Sequence, residues 1–356
     1  MLNKKRKISF MLALVFTLST VLSGCASTPK EPSTGGTATP PTAPAEEIVI
    51  KFSHNQPITS PEHAGAEKFK EVAEAKSNGK IKVEIYPAGQ MGSLREQVEG
   101  TQIGTIDISM QPSAVISPFL DDIKVVDLPY LWPSDREVIY DVLDGEMGRE
   151  LLDRLEDSGF HGLGYWFGGY KLFTTKDKEI HAPSDFTGVK MRVMEAPILI
   201  SQYKAWGGNP ISLPYAELYN GLQQGIVDGQ ENPLQTIFLN NYHEVQNEII
   251  QSYHGTMMYV MISNKAWFDG LSADIQEIVV EAEEAGRIEA RAVLLATEKD
   301  YIEKIKASGV HYYELTEAEI AEFTKASMPV HEEHMKTEWQ KDYISRLYTA
   351  IKDATK

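Results

Sequence analysis

EIVIKFSHNQPITSPEHAGAEKFKEVAEAKSNGKIKVEIY, residues 47–86, is the stretch that decides the fold class. Glu47–Ser53 alternates apolar and polar side chains, the period of a strand with one buried face. Ser60-Pro61-Glu62 then supplies an N-cap followed by proline in the first turn, where its missing N–H costs nothing. Ala66, Phe69, Val72 and Ala73 recur at helical spacing up to the breaker Ser77-Asn78-Gly79, and Ile81–Tyr86 reads as a second strand closed by Pro87. A helix from Ser93 to Gln102 and a third strand at Thr105–Met110 follow. Short loops in the order β-α-β-α-β argue for a parallel sheet covered by helices.

Further on, the loop Asp127–Pro133 is aromatic and bracketed by prolines, and the pattern predicts a helix over 134–157 and a strand over 160–167 that runs into Gly168-Gly169. The alternation then restarts. Strands are expected at 188–193, around Ile211 and at 226–230, with helices over 197–206 and 215–224 and a turn at Asn232-Pro233. Residues 272–307 form a long helical stretch with Ile275, Ile278, Val279, Ala282 and Ala285 on one face, and helices over 316–327 and 329–352 close the chain. Two α/β units joined by strand-like crossings place a crevice between them, at the carboxyl ends of strands, where ligands usually sit.

Lys4, Lys5, Arg6 and Lys7 precede an apolar run from Ile8 to Leu22, too short to span a bilayer comfortably but suited to a secretory leader. The run ends in Leu22-Ser23-Gly24-Cys25, which looks like the lipidation box of bacterial lipoproteins, with residues 1–24 removed and a lipid added to Cys25. Cys25 is the only cysteine, so no internal disulfide can form. Residues 25–45 are rich in Pro, Thr, Ala, Ser and Gly and read as a tether between membrane and folded body. The formal charge of −17 disfavours nucleic acid as a partner and means that anion binding needs a locally positive pocket.

Enzyme chemistry finds little support. No G-x-S-x-G elbow, Walker loop or G-x-G-x-x-G after a strand is present. His331 and His334 form the one close histidine pair, without a third ligand in a metal-binding pattern, so no metal, no cofactor and no catalytic residue is expected. The binding constellation is more informative. Within GVKMRV (188–193), Lys190, Arg192 and Met194 share one strand face, which holds the Arg192 fork against either a cleft or solvent. Asn232 precedes Pro233 and could donate its amide to a carboxylate or cap a following helix.

The blocks HAGAEKFKEVAEAKSNGKIKVEIYPAGQMGSLREQVEGTQIGTIDIS (63–109), DLPYLW (127–132), GGYKLFTTKDKEI (168–180), SDFTGVKMRV (184–193) and GGNPISLPYAELYNGLQQGIVDGQENP (207–233) follow one another in order. In these the chain resembles the extracytoplasmic solute-binding subunits of TRAP transporters, the C4-dicarboxylate-binding (DctP) type. The resemblance implies a periplasmic-binding-protein-like α/β fold: two domains around a cleft, joined by crossing strands and braced by a long helix. The expected boundaries are 46–169 with about 258–297 for the first domain, and 170–257 with about 298–351 for the second. It implies a ligand carboxylate paired with Arg192 and contacted by Asn232. Lys171 stands where many relatives carry a further arginine, so a second anchor would persist as a point charge.

Arg95 is expected at the cleft from the first domain, Tyr215 against the ligand's carbon skeleton, and Trp166 and Phe167 as an apolar wall unless they pack in the core. His54 and Gln56, in the polar loop end after the first strand, are expected to meet the ligand. The expected partners are a small organic acid, an integral-membrane TRAP permease and, through Cys25, the membrane, with the body acting as an extracytoplasmic monomer. A surface sensor with the same pocket, feeding a signalling partner, is the alternative. A hydrolase would need a nucleophile or metal site that the sequence does not offer.

Overall fold

Nine strands form one continuous mixed sheet in the computed structural model, which describes residues 47–356. The leader, Cys25 and the tether expected from the sequence lie outside the described residues. The strands are β1 (Ile48–Ser53), β2 (Ile81–Tyr86), β3 (Ile108–Pro112), β4 (Phe160–Thr175), β5 (Lys190–Val193), β6 (Asn209–Ser212), β7 (Gly229–Pro233), β8 (Glu248–Asn264) and β9 (His311–Glu314). Their spatial order is β2-β1-β3-β8-β4-β7-β5-β6, with β9 alongside β8. β1 pairs in parallel with β2 and β3, and β5 with β6 and β7, as βαβ connections require. The sheet as a whole is not parallel, because β8 runs antiparallel to β3 and β4, and β4 antiparallel to β7.

β4 and β8 are the crossing strands. The first half of β4 pairs with the second half of β8 beside β3, while its second half pairs with the start of β8 beside β7. Each therefore belongs to both α/β lobes. Their ladder shifts register between Phe167 and Tyr170 and again between Tyr170 and Leu172, next to Gly169 at φ +106°. Tyr253, on the facing strand, also has positive φ (51°), a conformation uncommon outside glycine. Sequence reading assigns no element to 248–264, and it ends β4 at Phe167. Both strands are buried on both faces, so their apolar and polar residues do not alternate, a pattern that periodicity alone does not resolve.

Three other boundaries differ. The helix expected over 134–157 breaks at Asp144-Gly145 into Arg136–Leu143 and Glu146–Asp153, and the Asp144 carboxylate there accepts hydrogen bonds from Arg287 and Arg291. The closing helices run Glu317–His334, with Pro329 inside, and Glu338–Ala354, opened by a Thr337–Gln340 capping box. The strand expected at 226–230 lies three residues later at Gly229–Pro233, which brings Glu231 and Asn232 into the sheet.

The long helix Ala273–Ala307 lies along the first-lobe helix Pro61–Lys76 at a close crossing. A Cβ on Gly286 would stand 2.7 Å from the Gly65 carbonyl oxygen, too close for any side chain, and Trp166 fills the space beside both glycines. The Trp166 indole N–H donates to Glu283 Oε1 at 2.9 Å, and Arg287 Nε lies 3.3 Å from the same oxygen. Burial nevertheless dominates, raising the Glu283 pKa to about 7. The folded protein thus holds a proton that the unfolded chain releases near the ordinary value of ~4.3. Stability from this site is complete below that value and is lost as pH rises through about 7. Glu283→Gln is expected to lose less stability than wild type between pH 4.5 and 7, by up to about 1.4 kcal/mol per pH unit. Equilibrium denaturation across that range reads the difference, and Asp127, raised likewise to about 7, keeps the residual slope from vanishing.

Candidate functional site

A glycine turn at Gly188 (φ +80°) delivers the chain into β5, between β6 and β7. Arg192 on this strand is 2% exposed. Its Nε donates to the Leu213 carbonyl at 2.9 Å, which fixes the guanidinium plane, and its two terminal amino groups make no hydrogen bond among the described residues. Desolvation pulls its pKa down, while Tyr242, Glu231, Tyr215 and Glu195 act in the opposite direction. A buried, oriented guanidinium with both terminal groups unpaired is suited to grip a carboxylate through two parallel hydrogen bonds.

Arg192 lines a cleft of about 300 Å³ between the two lobes. Leu94, Arg95 and Val115 come from the first lobe, and Met194, Leu213 and Tyr215 from the second. Arg95 stands half exposed, held by Glu99 at 2.9 Å one helical turn on, with its guanidinium 5.6 Å from the Phe119 ring centre. The Tyr215 hydroxyl is buried and has no hydrogen-bond partner among the described residues. A recess of similar volume lies beside Thr175 and Asp228, but neither Arg192 nor any other buried cation lines it.

Asn232 is a strand residue rather than a turn or helix cap, and the helix after it, Leu234–Leu239, has no side-chain cap. The register pairs Arg192 with Gln230, Gln230 with Thr174, and Asn232 with Leu172, which puts Arg192, Gln230 and Asn232 on one face of the sheet. The Asn232 amide donates to Gln230 Oε1, and Gln230 Nε2 donates to Thr174 Oγ1 at 3.0 Å. An amide relay therefore runs from Thr174 to the Arg192 side of the sheet.

Lys171 points the other way. Its strand neighbours place it on the opposite face, where its ammonium meets Glu231 Oε1 at 2.8 Å with both residues 2% exposed. Glu231 Oε2 accepts from His254 Nε2 (2.8 Å), Tyr203 Oη (2.9 Å) and Gln202 Nε2 (3.2 Å). Burial works against the Glu231 charge, but Lys171 and these donors outweigh it and hold the pKa far below the usual carboxylate range. Desolvation lowers the His254 pKa, so the ring is neutral, donating from Nε2 while Nδ1 accepts from Ser252. The expectation of Lys171 as a second ligand anchor is thus corrected: the lysine is the counter-ion of a buried glutamate.

The other expected positions separate as well. Trp166 is the wedge between Gly65 and Gly286, and Phe167 packs edge-on against Tyr140 (5.7 Å) and Tyr170 (5.3 Å), so both are core residues rather than a cleft wall. His54 is buried, with its pKa lowered to about 3 by desolvation and by His63. Its Nδ1 accepts from the Gln56 backbone N–H and its Nε2 lies 3.1 Å from His63 Nδ1, which commits the ring to shaping the loop. Gln56 is buried beside Tyr259. His331 and His334 turn to separate partners, Pro129 O and Ser201 Oγ. Residues that the sequence reading passes over include Tyr242, Glu231 and His254. For Glu231 a signal existed, an acid inside an otherwise uncharged strand end.

Two α/β lobes, crossing strands and a buried cation facing the cleft between them define a solute-binding protein. The chain belongs to the bacterial extracellular solute-binding protein family 7 (DctP), whose family model matches residues 52–338. It is 36% identical over 291 residues to a C4-dicarboxylate-binding periplasmic protein of Rhodobacter capsulatus, covering 81% of this chain and 87% of that one. Among solved structures, a TRAP periplasmic solute-binding protein from Desulfovibrio salexigens with bound orotic acid superposes with a TM-score of 0.83 at 30% identity, covering 86% of this chain and all of the other. A sugar acid binding protein from Advenella mimigardefordensis in complex with galactonate gives 0.82 at 30% identity, covering 87% and 99%.

Removing one partner of the Lys171–Glu231 pair leaves an uncompensated buried charge. Lys171→Met is expected to destabilise the protein by about 3–5 kcal/mol, and the double variant Lys171→Met/Glu231→Gln to recover much of that loss. Denaturant titration of the three proteins measures both quantities.

Proposed function

We propose that this protein captures a small organic acid outside the cytoplasm and hands it to a TRAP-type permease, without chemical turnover. The observation that carries the reading is Arg192: a buried guanidinium fixed through Nε, with both terminal amino groups unpaired at the cleft. Orotate, C4-dicarboxylates and galactonate, the ligands named for the three similar proteins, share a carboxylate and little else. A site whose fixed element is a carboxylate clamp fits that common group, with the tail read by other residues.

Contact with both lobes favours the closed arrangement, since a ligand that touches both stabilises the state in which they approach. We place the division between domains at Gly169-Tyr170 and near residues 257–258, where β4 and β8 pass from one lobe to the other, with the parts after about 297 returning to the second domain. Lipid attachment at Cys25 would hold the body at the membrane as a monomer within reach of the permease. No helix of the described residues is long and apolar enough to cross a membrane. Nothing in the site favours a signalling partner over a permease.

Arg192→Ala is expected to weaken binding of the cognate acid at least tenfold, about 1.4 kcal/mol or more, with little change in melting temperature. A thermal-shift screen of organic acids finds the ligand, because binding to the folded state alone raises the melting point. Calorimetry on the variant then tests the clamp, and wild-type affinity in Arg192→Ala would reject it.

A further inference from the structure

At the edge of the second lobe, three separate parts of the chain bring metal-ligating side chains together. Glu248 opens β8 and His311 opens β9, and the parallel register sets these two residues directly opposite each other. Glu179 comes from the loop between β4 and β5. His311 Nδ1 lies 2.8 Å from Glu248 Oε2 and 3.6 Å from Glu179 Oε1, and the donor atoms of all three side chains lie within 4.8 Å of one another. The loop that carries Glu179 is tied to β9. Ile180 donates its backbone N–H to Tyr313 Oη at 2.7 Å, and the same hydroxyl donates to the Ile180 carbonyl at 3.3 Å. The Tyr313 ring packs against two imidazoles, its centre 4.9 Å from that of His311 and 5.0 Å from that of His181. His181 in turn meets Glu179 Oε2 through Nε2 (3.3 Å) and Glu319 Oε1 through Nδ1 (2.7 Å). None of Glu179, Glu248 and Glu319 pairs with a lysine or arginine among the described residues.

Three carboxylates thus share a patch in which the only basic partners are imidazoles. Zinc binds nitrogen and oxygen at about 2.0–2.2 Å, so neighbouring ligands on a tetrahedron stand about 3.3–3.6 Å apart. The contacts at 2.8 and 3.6 Å bracket that spacing, and the half-exposed side chains of Glu179 and His311 have room to adjust to it. We propose that Glu179, Glu248 and His311 bind a divalent transition-metal ion of the zinc type, with solvent completing its coordination. The imidazole donor favours such an ion over calcium or magnesium, which take oxygen ligands. His181, itself held by Glu319, bonds the other oxygen of Glu179 and so orients that carboxylate. The ion ties β9 to the start of β8 and to the loop after β4, which fastens the chain beyond the long helix to the second lobe. None of these residues lines the Arg192 cleft, so the site stands independently of the carboxylate clamp. The sequence reading expects no metal because the donors lie far apart in the chain and only the folded sheet unites them.

Titration calorimetry of the metal-stripped full chain with zinc chloride, alongside melting curves with and without the ion, tests the site. Wild type should take up zinc with a dissociation constant in the micromolar range or tighter. Its melting temperature should rise by several degrees, since an ion bound to the folded state alone stabilises it. His311→Ala and Glu248→Gln should each weaken that binding at least tenfold and remove the rise. Glu179→Gln, at an exposed position, gives the same reading if either of the others melts early without metal. Calcium chloride at the same concentrations should leave the melting temperature unchanged. Absence of zinc uptake by wild type, zinc affinity undiminished in the folded variants, or calcium binding as tight as zinc overturns the assignment.

Discussion

The ladder between β4 and β8 is the constraint on which the remaining structure rests. These strands, 16 and 17 residues long, run antiparallel through both lobes and supply the central pair of each half of the sheet. Every other strand is hung from them: β3, β1 and β2 on one side of the first half, β7, β5 and β6 on the other side of the second, and β9 beside the start of β8. The position of Arg192 follows from that chain of pairings. β4 fixes β7, β7 fixes β5, and a slip of one residue at either step would carry the arginine to the opposite face.

The sheet's two faces accordingly hold cations in different electrostatic settings. Lys171 and Arg192 come from neighbouring parts of the same lobe, and both are nearly inaccessible to water. Lys171 has its charge neutralised by a glutamate within the protein, and the cost of burying it is offset there. Among the described residues Arg192 keeps only the carbonyl of Leu213. Charge compensation, more than burial or residue type, separates Lys171, paired within the protein, from Arg192, whose terminal amino groups are unpaired among the described residues.

Much of this was legible in the chain. The β-α-β-α-β reading of residues 47–110 holds element by element, because capping residues and period-2 or helical patterns agree there. Arg192 could be picked out because it interrupts an apolar strand, and the family blocks around it gave it a role. The crossing strands were harder, since segments buried on both faces lose the alternation that marks a strand. Lys171 and Trp166 could not be placed correctly without coordinates. Whether Lys171 meets a glutamate or a cleft depends on the β4–β7 register, and the place of Trp166 depends on the absence of side chains at Gly65 and Gly286, far away in sequence.

The register shifts beside Gly169, opposite the positive-φ Tyr253, sit where the chain passes between lobes. A junction built from strands whose backbone is already fixed has little chain disorder to lose when the lobes approach. Ordering a loop would cost about 1–2 kcal/mol for each residue immobilised. Crossing strands avoid most of that conformational entropy, so more of the free energy of ligand contact can appear as affinity.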